Sequence, residues 1–300
     1  RIILLKGDIS IDLLGLQESI YKKLSVDIDC IINSAADVRH YGDYNELYKV
    51  NVKGVENLLL FAQNIKAKNF NHISTISVSH KYCEKNKKLI FSEDNNIYKL
   101  SSENNYVNTK QKAEEIINKA RQKGLKCNIF RVGNLIFDSK KGTFQENINT
   151  NHFFNTIKSF IKIEALPSIE IKFDFSFIDY VSNAIVLLFN INLDNENYHI
   201  INHNYVNILK LADLLNIDLL EKEEFVNYLS LIFKNKSVDD KYLGNIVKCI
   251  IELLESEKHR FCIESKKTIL ILEKMGFIWS DINKNHIEKM IKYFKKVKYL

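Results

Sequence analysis

The sequence predicts an α/β fold: a parallel sheet with helices on both faces, followed by a smaller, mainly helical region. Three observations carry this. Apolar runs of strand length are continuous rather than alternating, the pattern of strands buried on both faces. Between residues 1 and 136 these runs alternate with segments of helical periodicity. Beyond 137 the strand signal weakens, and from 207 to the end the chain reads as nearly all helix.

Arg1 to Asp8 reads as a buried strand that stops at Gly7-Asp8, and a helix follows over 16–25. Ile28 to Ala35 is a continuous apolar strand. Asp43 can cap a long helix over 44–64. Asn69 to Ser77 is the next strand. A polar, charged loop over 84–100 precedes a helix that carries Tyr106, runs to 123 and ends at Gly124. Lys126 to Ile136 is again a strand. Residues 137–150 read as loop and 151–163 as an amphipathic helix. Phe173 to Phe177 is strand-like, Asp179 opens a helix through Phe189, and Tyr198 to Asn202 is a short strand. The expected division is a core over 1–136 and a helical lid over 137–300, with 170–203 returning to the core.

The 300 residues carry a net charge of only +6, which suits one large α/β domain or a domain with a lid. Basic residues are locally enriched only from Lys284 to Lys298. That run reads as the solvated face of an amphipathic helix or as a docking surface for an acidic partner. No basic stripe with interleaved aromatics is present, which argues against nucleic-acid binding. The five cysteines (Cys30, Cys83, Cys127, Cys249 and Cys262) are odd in number and lack metal-type spacing. His199 and His203 bracket a strand-like run rather than sharing a helix face, so no metal is expected. Neither a signal peptide nor an 18-residue apolar run occurs. The expectation is a reduced, cytoplasmic protein that does not engage a membrane.

Of the 14 tyrosines, only Tyr106 has a lysine four residues later, Lys110. On a helix this spacing stacks a phenol and an ammonium on one face, one turn apart. A lysine so placed is expected to lower the phenol's pKa and leave it able to exchange a proton. Ser74-Thr75 ends the strand before that helix. A dinucleotide-binding sheet normally opens with a strand, a Gly-rich turn and a helix. The nine glycines, at 7, 15, 42, 54, 124, 133, 142, 244 and 276, form no such turn. Residue 1 enters mid-strand with no cap, turn or initiator methionine. The expectation is therefore that roughly a hundred residues holding the Gly-rich βαβ unit precede it.

Several motifs now fall in an order that resembles the extended short-chain dehydrogenase/reductases. They are Asp8 after an apolar strand, Asn33-Ser34-Ala35-Ala36, Asn51-Val52-Lys53-Gly54, Ser74-Thr75, Tyr106 with Lys110, and Arg131-Val132-Gly133-Asn134. More narrowly, Ala35 to Tyr44, Ile73 to Val78 and the tail from Ser265 through Trp279 to Tyr293 are similar to the terminal thioester reductase domain of nonribosomal peptide synthetases. The resemblance implies a Rossmann-like doubly wound sheet binding NADPH. Its catalytic residues would be Thr75, Tyr106 and Lys110. Asp8, Ala35, Ala36, Lys110, Gly133 and Asn134 would bind the cofactor. Asn51 and Ser74 would support the site. Val38, His40, Phe144 and Phe153 are substrate candidates, although Phe144 and Phe153 also read as lid core. Lys110 would both lower the Tyr106 pKa and hold ribose hydroxyls.

The implied activity is reductive release of a peptidyl or aminoacyl thioester as an aldehyde, with a second hydride giving the alcohol. The implied partner is an acidic peptidyl carrier protein with a phosphopantetheine-linked substrate, within a larger synthetase whose reductase domain is monomeric. Carboxylic acid or fatty acyl thioester reductases, and epimerases or dehydratases of the same superfamily, remain alternatives. So does a non-catalytic scaffold that kept the fold.

Overall fold

The computed structural model describes residues 2–39, 42–64, 69–79, 82, 90–96, 104–146, 148–191, 193–234 and 262–300. His40, Cys83, Cys249 and most of the expected 84–100 loop lie outside this set. The chain divides into two units. The first comprises Arg1–Val132, Ile185–Ile200 and Phe261–Gly276; the second comprises Gly133–Ala184, Ile201–Arg260 and Phe277–Leu300.

The first unit is built on four parallel strands, β1 (Cys30–Asn33), β2 (Asn69–Thr75), β3 (Cys127–Val132) and β4 (Asn197–Ile200), in that spatial order. Four of its helices are α1 (Glu18–Asp27), α2 (Tyr44–Tyr48), α3 (Gly54–Gln63) and α4 (Asn105–Gln122). Asp43 caps α2 as the sequence predicts, accepting from the backbone N–H of Asn45 at 2.9 Å and Glu46 at 3.2 Å. Helix α4 is followed by Gly124 at φ +90°, the left-handed position that glycine fills without steric cost. The expected single helix over 44–64 is interrupted by a π-helical turn at Lys49–Lys53, which places Asn51 in the wide turn. Just after it, Gly54 lets the helix lie close to the chain near Ile9. A Cβ there would come within 2.6 Å of Ile9 Cδ1.

One face of the sheet changes character along the strands. Near their starts Phe70, Cys127 and Ile129 pack with Val55, Leu58 and Leu59 of α3 and Ala113 and Ile117 of α4. Towards their C-terminal ends, His72, Ser74, Arg131 and His199 continue the same period-two face and are also buried. Register aligns them: Asn33 lies opposite His72, and Ser74, Arg131 and His199 form one row across β2, β3 and β4.

Three expectations are corrected. Residues 2–7 form no strand and are exposed, with Ile2 and Leu4 89% and 90% accessible. An apolar run becomes a strand only where a neighbour satisfies its backbone, and among the described residues none pairs with this one. The strand expected over 126–136 breaks after Val132, and Leu135–Ile136 pairs instead with Ser176–Phe177. Ile90–Phe91, expected as loop, pairs in parallel with Cys262–Ile263. That pairing belongs to the first unit, as does the Lys266–Lys274 helix that the sequence placed among the C-terminal helices.

The second unit is held by an aromatic and aliphatic core. Phe137, Phe154, Phe160, Phe175 and Phe177 are fully buried there, with Leu211, Met290 and Phe294. The Lys284–Lys296 helix turns Ile287, Met290 and Phe294 inward. Asn283 starts it with a capping box closed by His286.

Candidate active site

The proton-handling groups stand on α4 and at the C-terminal end of β2. Tyr106 opens the first turn of α4 and is 9% exposed. Its phenol is hydrogen-bonded to the Thr75 side chain; burial pushes its pKa up to about 12, and the threonine bond opposes that rise. Thr75 is the last residue of β2, and its hydroxyl also bonds Ser77 Oγ at 3.2 Å.

Lys110, one turn on from Tyr106, does not lower the phenol's pKa as the spacing suggested. Its chain runs inward to β2, where Nζ donates to the Ile73 carbonyl at 2.7 Å and lies 3.2 Å from His72 Nε2. It is 2% exposed, and burial lowers its pKa to about 8 against the opposing pull of Glu114. The i, i+4 rule places two residues on one helix face but leaves the direction of a long, flexible side chain open.

Asn51 braces the arrangement. Its Oδ1 accepts from Asp37 N at 2.8 Å, and its Nδ2 donates to Asp37 O at 2.9 Å and Thr109 Oγ1 at 3.1 Å. One amide thus ties both backbone groups of Asp37 to the helix that carries Tyr106 and Lys110. Ser74 turns away from the hydroxyl pair and donates to Glu114 Oε1 at 2.6 Å. Glu114 is fully buried against Arg131, at 2.9 Å, and Arg131 continues to His199 Nε2 at 3.2 Å. Phe91 lies over the guanidinium, 4.9 Å from its ring centroid.

Ala35 is exposed and Ala36 half-buried, just beyond the C-terminal end of β1. Small side chains there leave backbone open to a ligand, at the sheet end where such folds bind. With the Thr75–Tyr106 hydroxyls, these residues fit the nicotinamide end of a dinucleotide, whereas Lys110 Nζ is buried against Ile73 and His72. Asp8 occupies an exposed turn, where its carboxylate accepts from the N–H and hydroxyl of Ser10. Val38 is 38% exposed.

In the second unit, Gly133 and Asn134 are organised by Asp174, which the sequence did not flag. Asp174 Oδ2 accepts from Asn134 N at 2.8 Å, and Oδ1 accepts from the Asn134 amide. A Cβ on Gly133 would overlap Asp174 Oδ2 at 1.8 Å, so only glycine fits. Phe144 and Phe153 pack their rings into the aromatic core, against Phe154 and, for Phe153, also Phe175. Among the described residues, no group of three or more His, Cys, Asp or Glu could hold a metal ion, and no helix is long and apolar enough to cross a membrane.

Sequence reasoning also missed His72, Glu114 and the role of His199. The first two had a signal: His72 precedes Ser74 by two on a strand, and Glu114 follows Lys110 by four on a helix.

A parallel sheet with a buried threonine–tyrosine hydroxyl pair, and a lysine one turn further on, defines the class: an extended short-chain dehydrogenase/reductase. Within that class the chain belongs to the NAD-binding family described as Male sterility protein, which matches residues 1–185. It is 25% identical over 305 residues to a component of linear gramicidin synthase from Brevibacillus parabrevis, covering 99% of this chain and 6% of that protein. It is 30% identical over 259 residues to probable polyketide synthase 38 of Dictyostelium discoideum, covering 83% of this chain and 8% of that protein. Among solved structures, a thiolation-reductase di-domain from an archaeal nonribosomal peptide synthetase superposes with a TM-score of 0.81 at 31% identity. That match covers 98% of this chain and 61% of the di-domain. The chain thus spans only a small fraction of the curated relatives it matches.

Proposed function

We propose that this chain is a reductase domain that releases a carrier-bound peptidyl or aminoacyl thioester as an aldehyde, using NADPH. The observation that carries the reading is the hydroxyl pair of Thr75, at the end of β2, and Tyr106, in the first turn of α4, in a chain related along nearly its whole length to synthetase reductases.

A bound reduced nicotinamide supplies the hydride for the thioester carbonyl carbon. The oxygen then gains charge, and the Thr75 and Tyr106 hydroxyls stabilise it. Tyr106 gives its proton to that oxygen, forming a hemithioacetal. Collapse breaks the C–S bond: the oxygen's proton returns to the site, the carbonyl re-forms as an aldehyde, and the sulfur leaves as the pantetheine thiol after protonation. A phenol held near pKa 12 stays protonated at neutral pH and acts as an acid. A second round would give the alcohol. Lys110, Asp8, Ala35, Ala36, Gly133 and Asn134 are proposed for the cofactor, and Val38, Phe144 and Phe153 for the substrate.

The proposed partner is an acidic carrier protein of the same synthetase, with the Lys284–Lys298 run as its docking surface. Lys292, Lys295, Lys296 and Lys298 are exposed there and form no ion pair among the described residues.

The test is NADPH consumption with an aminoacyl-pantetheine thioester. Tyr106→Phe should lower turnover about 10²–10⁴-fold while cofactor affinity holds, because one general acid is removed. Near-normal turnover in that variant overturns the assignment.

A further inference from the structure

His72 meets a partner at both ring nitrogens: Nδ1 lies 3.1 Å from Asn33 Nδ2, and Nε2 lies 3.2 Å from Lys110 Nζ. A neutral imidazole has one N–H and one lone pair. Burial holds this ring's pKa well below 6.5, so it is neutral. Asn33 Oδ1 accepts from Ala35 N at 3.2 Å, which turns the amide nitrogen towards Nδ1. Nδ1 therefore accepts, and Nε2 carries the proton. An ammonium has three donors and no lone pair, so it cannot receive that N–H. In this arrangement Lys110 is an amine, accepting from Nε2–H and donating to the Ile73 carbonyl.

Protonating Lys110 reverses each polarity in turn. The ammonium needs the Nε2 lone pair, so the single imidazole proton must sit on Nδ1. Asn33 must then present Oδ1 to Nδ1–H, and this rotation withdraws the acceptor from Ala35 N. One proton enters from solvent in the cycle, and the imidazole keeps one throughout. We propose that His72 is a positioning residue that couples the charge of Lys110 to the Asn33 amide, and through it frees or occupies the Ala35 backbone N–H. The functional consequence rests on the reductase reading: the charged lysine and a free Ala35 N–H would be offered to the cofactor together.

The groups facing the pair are few. Tyr106 and Glu114 lie one turn either side of Lys110 on α4, and Glu114 favours the ammonium. Arg131 of β3 lies beyond Glu114. β1 adds the uncharged Asn33, and Phe70 stacks on the His72 ring at 6.3 Å between centroids. His199 is the built-in contrast. Arg131 Nη1 at 3.2 Å is a permanent donor, so His199 Nε2 accepts and Nδ1–H donates to the Glu264 carbonyl at 2.9 Å.

The experiment is ¹⁵N NMR of the histidine-labelled protein from pH 6 to 10, without cofactor or substrate. The His72 signals are identified by their loss in His72→Gln. The expected result is a change of tautomer, Nδ1–H at low pH and Nε2–H at high pH, with a midpoint near the Lys110 value of about 8. His199 should stay Nδ1–H throughout. Asn33→Asp keeps the shape but presents only acceptors, so it should hold His72 as Nδ1–H and abolish the change. A single His72 tautomer across the range in the native protein, or an imidazolium forming near pH 6.5, overturns the proposal. Because the measurement uses neither cofactor nor thioester, its failure and the failure of the reductase reading are separate results.

Discussion

The two units bury charge in opposite ways. In the first, Glu114 is matched to a guanidinium, His199 is buried as a neutral ring beside that same cation, and His72 is buried as a neutral ring beside the Lys110 nitrogen. In the second, Asp174 is 7% exposed and forms no ion pair among the described residues; its partners are the N–H and amide of Asn134 and the Ser176 hydroxyl. Burial raises the Asp174 pKa while those bonds oppose the rise. The first unit uses charge complementarity to fix side chains around the candidate site. The second uses an acceptor to shape a turn, for which a full negative charge is a cost.

The largest test of that contrast is removal of single partners. Arg131→Met leaves a buried carboxylate unpaired and should lose about 3–5 kcal/mol in urea unfolding. Adding Glu114→Leu should recover much of it, because an apolar pair replaces the ion pair without an orphan charge. Asp174→Asn removes no counter-charge and should cost only about 1–2 kcal/mol, through lost hydrogen-bond acceptance. Equal losses for Arg131→Met and Asp174→Asn would break the comparison.

Acid should separate the units more gently. His199 is lowered to about 3 and His72 lies well below its usual 6.5, so the unfolded chain binds protons first. Their stabilising contribution is present above pH 6.5 and is lost as pH falls below it. For His199 the loss should be about 1–2 kcal/mol by pH 5, and His72 should act in the same direction. Asp174 has the opposite sign: its contribution is full below 3.8 and declines as pH rises through the raised value. Hydrogen exchange, corrected for intrinsic rate, should show protection falling between pH 7 and pH 5 around β2 and β4 but not at Ser176–Phe177. His199→Gln should flatten the loss around β4.

The smallest effect is at the surface of the second unit. Reversing Lys295 and Lys296 to Glu should raise the apparent KM for a carrier-bound thioester by a few-fold, as expected for exposed charges that steer encounter. A small pantetheine thioester should be unaffected. An equal rise for both substrates would remove the docking surface from the proposal.

What the sequence disclosed was local in chemistry. The Asp43 cap, the Gly124 stop and the Tyr106–Lys110 spacing are each set within a few residues, and the structure places all three as spaced. What it hid depends on partners far along the chain. Lys110 bonds a strand 37 and 38 residues away, and Asp174 reaches back 40 residues to Asn134. Arg131 was visible only as part of a motif, because its meaning lies in Glu114 and His199 on other elements. Residues 2–7 show the reverse error, for apolar character does not supply the neighbour a strand requires.

The π-helical turn at Lys49–Lys53 has a consequence for how this site could be taken apart. One additional residue rotates everything after it by about 100°, so the helix holds two phases. Leu47 faces inward in one, and Val55, Leu58 and Leu59 face inward in the other. Deleting a single residue inside the turn would rewind it to a regular spiral and swing Asn51 off Asp37, while the stripe on α3 could keep its seat against the sheet. Here a deletion, rather than any exchange of side chains, would divide the part of the helix that builds the fold from the part that braces the candidate site.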